Sequence, residues 1–93
     1  MEKFLIEVPH GSDKASCYRA VQVFLSSGSH FVTNAEWGCM DGDHKAWLFV
    51  EIENKEAAMR LLPSSFQTEA KIIKINKFTR KDMDKTMLDQ HHA

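Results

Sequence analysis

Cysteine is scarce in this chain, and the two that occur stand apart. Cys17 and Cys39 are its only cysteines, and neither belongs to a Cys-x-x-Cys pair. That argues against a disulfide framework and leaves two free thiols as the expected state. Long apolar runs are missing too. The first, Phe4-Leu5-Ile6, is cut by Glu7, far too short for a membrane span or the apolar part of a secretory leader. The expectation is a soluble cytoplasmic protein without a membrane partner. Charge of one sign is also lacking: 12 Lys and Arg stand against 13 Asp and Glu, a net of -1. That makes nucleic acid an unlikely partner, because phosphate binding needs a basic patch. The basic residues Lys71, Lys74, Lys77, Arg80 and Lys81 read as a solvated strand edge and helix start. There is no internal repeat, low-complexity segment, linker, nucleotide-binding glycine loop or nucleophile triad.

What is present is a soluble composition, 43% hydrophobic and 27% charged over 93 residues. That is one domain, too small for two independent cores. Residues 3–8 alternate, with Phe4, Ile6 and Val8 on one face and Leu5 and Glu7 on the other, and predict a strand ended by Pro9 and His10-Gly11. Ser12 or Asp13 caps a helix with the stripe Cys17, Ala20, Val21, Phe24 and Leu25, and Gly28 is its C′ residue. Residues 29–37 alternate as a second strand. Asp41-Gly42 reads as a two-residue hairpin turn into a third strand within residues 44–54. Asn54 caps a second helix that buries Ala57, Ala58, Leu61 and Leu62 and stops at Pro63. Residues 64–68 are a polar connection with one aromatic, Phe66. Residues 70–78 predict a fourth strand, with Ile73 and Ile75 on one face and Ile72, Lys74 and Asn76 on the other. Thr79 and Asp82 resemble a capping box opening a terminal helix on which Met83 and Met87 face the body of the protein. The order predicts an α+β, ferredoxin-like β-α-β-β-α-β domain: a four-stranded antiparallel sheet with two helices on one face (residues 1–78) and a C-terminal helix (79–93).

The third strand has two unlike faces. Ala46, Leu48, Val50 and Ile52 form an aliphatic side, while Lys45, Trp47, Phe49, Glu51 and Glu53 set two aromatics among charges. Counting outward from the hairpin places Trp37 opposite Ala46, Glu36 opposite Trp47, Ala35 opposite Leu48 and Asn34 opposite Phe49. The bare face then collects Leu5, Glu7, Val32, Asn34, Glu36, Trp47, Phe49, Glu51, Ile72, Lys74 and Asn76. So large an apolar patch calls for a cover, and burying it at roughly 25 cal/mol per Å² is enough to help drive dimerisation.

This chain order and two-faced strand resemble the dimeric α+β barrel superfamily, which includes small isomerases and cofactor-free monooxygenases. The resemblance is architectural and implies two sheets packed face to face in a homodimer. On this reading the domain binds a small organic ligand in a cavity on the open face. Trp47 and Phe49 supply its surface, and Glu7, Glu36, Glu51, Asn34 and Lys74 its polar groups. No cofactor or metal is expected. An isomerase- or monooxygenase-like enzyme would use one of the glutamates as general base, its pKa raised by desolvation and like charge.

A second resemblance lies within residues 45–52. Lys-Ala-Trp-Leu-Phe-Val-Glu-Ile is similar to the third-strand octapeptide of RNA-recognition motifs, with Lys45 at the basic position and Trp47 and Phe49 at the stacking positions. Ala46 and Leu48 replace small residues there, Ile52 replaces an aromatic, and the first strand offers Leu5 in place of an aromatic. This implies, as the alternative reading, a module binding single-stranded nucleic acid. Cys39, Asp41, Asp43 and His44 crowd the hairpin, with His10 and His30 elsewhere, but their spacing matches no established metal site and reads as turn chemistry. Cys17 reads as a small buried hydrophobe. A nucleophilic Cys39 would need a nearby base such as His44 or His30. His91 and His92 read as a frayed end or an adventitious metal contact.

Overall fold

The computed structural model describes residues 1–83. Strand β1 (Glu2–Pro9) leads to helix α1 (Lys14–Leu25), the short helix α2 (His30–Thr33), β2 (Glu36–Trp37), β3 (Lys45–Ile52), α3 (Lys55–Leu61), β4 (Lys71–Lys74) and α4 (Arg80–Asp82). The four strands form one antiparallel sheet in the order β2-β3-β1-β4. With helices flanking it, this is the ferredoxin-like arrangement expected from the element order.

Strict alternation makes β1 and β3 the centre of the sheet. Phe4, Ile6 and Val8 from β1 and Ala46, Leu48 and Val50 from β3 are all buried, and their pairing is continuous from Glu2↔Ile52 to Pro9↔Lys45. Ala20 and Phe24 of α1 and Ala57, Ala58 and Leu62 of the α3 segment are buried too, and Phe24, Ala58 and Leu62 join the strand residues in one core. Phe24 anchors it, meeting the rings of Trp37 and Phe66 edge-on at 5.0 and 5.3 Å. Asp13 caps α1 by accepting from Ser16 N–H, and Asn54 caps α3 by accepting from Ala57 N–H. Each bond satisfies an N–H that the first helical turn leaves without a partner. The Thr79–Asp82 capping box is formed in both directions.

Several expectations fail here, each for a local reason. Residues 29–37 are not one strand. The Ser29 hydroxyl accepts from Val32 N–H, a cap that winds residues 30–33 into α2 and leaves only Glu36–Trp37 as β2. Val32 therefore leaves the open face and is fully buried. The hairpin is not a two-residue turn either. Cys39–Asp41 make a 3-10 turn, and Gly42 closes it in the left-handed region at φ 83°. The expected register survives, with Glu36↔Trp47 and Trp37↔Ala46, because the longer loop preserves parity. In β4 the faces are inverted. Phe4↔Lys74 and Ile6↔Ile72 put Lys74 and Ile72 on the helix side, and Leu5↔Ile73 turns Ile73 outward. Asn76 lies beyond the strand. Helix α1 ends at Leu25 with Ser26 as its cap, so Gly28 is not its C′ residue. Met83 is exposed, whereas Met87, His91 and His92 lie outside the described residues.

The resemblance to the dimeric α+β barrel superfamily is overturned. The sheet is open and flanked by short outer strands, two residues in β2 and four in β4, and it does not curl into a barrel wall. Where the wall would continue past β2, the chain turns into α2.

Candidate functional site: the β3 edge groove and the loop-end cluster

The strand register arranges the open face in rows. Glu36, Trp47, Glu7 and Lys71 form one row, and Phe49, Leu5 and Ile73 the next. Trp47 Nε1–H donates to Glu7 Oε1 at 3.1 Å, and Lys45 Nζ lies 3.9 Å from the same oxygen. Phe49 is the most exposed apolar residue of the two rows, at 55%, and Lys3 Nζ sits 5.6 Å from the centre of its ring. The expected carboxylate cluster is not drawn together. Glu7 and Glu36 flank Trp47 from either side, about two strand spacings or ~9–10 Å apart along the sheet. Lys74 is absent from this face and instead pairs with Glu2 at 2.9 Å.

Because β2 stops after two residues, β3 beyond Trp47 has no strand partner on that side among the described residues. Gly38 N–H donates to Lys45 C=O across the β2–β3 ladder, whereas His44 C=O accepts from His10 N–H toward β1. Alternation then points the main-chain groups of Phe49 and Glu51 toward the vacant edge. Two open clefts run beside it. One of about 480 Å³ is lined by His30, Phe31, Asn34, Glu36, Trp47 and Phe49 among others. The second, about 490 Å³, is lined by Met1, Lys3, Phe31, Phe49, Val50 and Glu51. Both are bordered by Phe31 of α2 and Phe49 of β3, so they adjoin as one groove. Five of the seven expected ligand residues therefore line a groove, though at the sheet edge and not over its centre. These are Asn34, Glu36, Trp47, Phe49 and Glu51, whereas Glu7 braces Trp47 and Lys74 lies elsewhere. Phe31 is a wall that the alternation had assigned to the core side.

A second constellation lies at the end of the sheet where β1 stops and β3 begins. Continuing the β1–β3 register places His10 opposite His44, and the His10 N–H to His44 C=O bond at 3.1 Å fixes that pairing. The two rings meet edge-on at 5.9 Å, and Trp37 stands 5.6 Å from His10. The 3-10 turn brings Cys39 Sγ to 3.0 Å from His10 Nε2. Burial, then the neighbouring charge of His44, lowers the His10 pKa. Burial, then the hydrogen bond and charge of the adjacent Cys17, pushes the Cys39 thiol up to about 11. A reactive cysteine has the opposite shift, so this thiol is no ready nucleophile. The imidazole at hydrogen-bonding distance is that of His10, with a nitrogen of His44 within 4.8 Å. Asp41 is exposed, and Asp43 approaches Lys45 at 4.0 Å. The signal for His10 and His44 was the core parity itself: they extend Phe4-Ile6-Val8 and Ala46-Leu48-Val50 by one step each.

Compared with protein-family models, with curated proteins and with solved structures, the chain matches none.

Proposed function

We propose that the chain is a ligand-binding module whose site is the groove between α2 and the free edge of β3. The observation that carries this reading is that Phe31 and Phe49 border two adjoining clefts, each within the range of small-molecule sites. The ligand class is a small organic molecule with a flat apolar body and hydrogen-bond donors. The body fits against Phe31, Phe49 and Trp47, and the donors meet Asn34, Glu36 and Glu51. The outward main-chain groups of Phe49 and Glu51 add donor and acceptor positions of the kind that strand addition uses. A homodimer through the open sheet face is a further proposal, supported by the row Phe49, Leu5 and Ile73.

Benzamidine and tryptamine, each a flat ring with cationic donors, are suitable probes. Titrated into the isotope-labelled chain, they are expected to shift the amide signals of Phe31, Asn34, Glu36, Trp47, Phe49 and Glu51. No movement there at millimolar probe would overturn the reading. Oligouridine moving the Trp47 and Phe49 signals at low salt, with neither fragment binding, would favour the nucleic-acid alternative instead.

A further inference from the structure

One nitrogen of His10, one of His44 and the Cys39 sulfur all lie within 4.8 Å of one another. We propose that these three side chains are the protein ligands of a zinc-class divalent ion, in a site separate from the β3 groove. Two imidazoles and a thiolate are a donor set suited to a borderline-soft ion. A tetrahedral centre with Zn–S near ~2.3 Å and Zn–N near ~2.1 Å sets its donors ~3.4–3.6 Å apart. The observed spacing brackets that range, so small side-chain rotations complete the site.

The scaffold holds the donors firmly. His10 and His44 are locked as cross-strand neighbours. Cys39 sits in a turn closed by bonds from Asp41 and Asp43 N–H to Gly38 C=O. Gly38 admits this close loop, since a Cβ there would lie 2.6 Å from Asp43 C=O and 2.8 Å from the Trp47 ring. Among the described residues, both imidazoles also carry a buried Nδ1 with no hydrogen-bond partner. Polar nitrogens buried this way cost stability unless a water or an ion meets them.

On binding, the Cys39 S–H bond breaks, its proton passes to solvent and the sulfur–metal bond forms, with no change of oxidation state. The ion ties the loop over residues 38–44 to the end of β1. Its fourth position is left to water.

The test uses the full, tag-free, reduced chain, stripped by chelator and titrated with cobalt(II). The expected result is one ion per chain, with a thiolate-to-cobalt charge-transfer band that zinc bleaches. The band disappears in Cys39→Ser and persists in Cys17→Ser and in the paired His91→Ala/His92→Ala variant. His10→Ala and His44→Ala each weaken binding at least tenfold. Absence of the band in the wild type, or its survival in Cys39→Ser, overturns the proposal. Should Cys39→Ser not fold, imidazole NMR signals of the wild type under zinc titration decide. Movement of His10 and His44 supports the site, and movement of His91 and His92 alone overturns it.

Discussion

Trp47 and Glu7 are cross-strand partners, and the indole N–H of one donates to the carboxylate of the other at 3.1 Å. That bond fixes the indole edge toward β1 and leaves Phe49, on the next row, as the freer aromatic. Removing the acceptor in Glu7→Ala is expected to cost about 0.5–1.5 kcal/mol, and Glu7→Gln, which keeps an acceptor, less than half of that. Urea midpoints of the two variants check the ordering.

Glycine at 38 and glycine at 28 should respond in opposite ways. At Gly38 an added Cβ meets the Asp43 main chain at 2.6 Å, an obstacle that cannot rotate away. Gly38→Ala is expected to destabilise by about 1–3 kcal/mol. At Gly28 nothing lies within 4 Å and φ is not positive. Gly28→Ala is expected to stabilise by about 0.4–1 kcal/mol through the unfolded chain. Chemical denaturation measures both.

Phe24 and Phe49 divide stability from binding. Phe24 is buried against Trp37 and Phe66, so Phe24→Ala should cost about 3–5 kcal/mol. Phe49 is more than half exposed, and Phe49→Ala should leave stability within about 0.5 kcal/mol. Thermal melts of the two separate the roles.

Three groups shape the acid limb of stability: His10, Asp13, and Asp82, whose carboxyl is held low by the Thr79 N–H and then the Thr79 hydroxyl. The Ser16 hydroxyl, then the Ser16 N–H, hold the Asp13 carboxyl below the usual carboxylate range. Its contribution is present above the unfolded pKa of about 3.9 and is lost as pH falls through the lower folded value. His10 is lowered by burial, so the unfolded chain binds its proton first. The stability of neutral His10 is full above about 6.5 and declines as pH falls below that. Stability measured against pH should therefore fall in two stages, the upper one lost in His10→Gln and the lower one reduced in Asp13→Ala and in Asp82→Ala.

How much of this was legible depended on whether parity was ambiguous. In β1 and β3 the alternation is strict, and both faces and the hairpin register follow from it. Between Ser29 and Trp37 the apolar pair Phe31-Val32 suits a helical turn as well as a strand, and the Ser29 cap decides for the helix. In β4 the adjacent Ile72 and Ile73 leave the face open until pairing with Ile6 and Leu5 settles it. Barrel closure depends on outer-strand length, which composition does not report. His10 and Cys39 are 29 residues apart in sequence, and only the combination of sheet register and the 3-10 turn brings them to 3.0 Å.

The groove beside β3 is tested most directly by titrating benzamidine into the labelled wild-type chain and into Phe49→Ala, with both melting curves in hand. Saturable shifts confined to the Phe31–Phe49 groove, lost in a variant that melts like the wild type, are the predicted result. Equal binding by the two proteins, or shifts centred away from the groove, would contradict it.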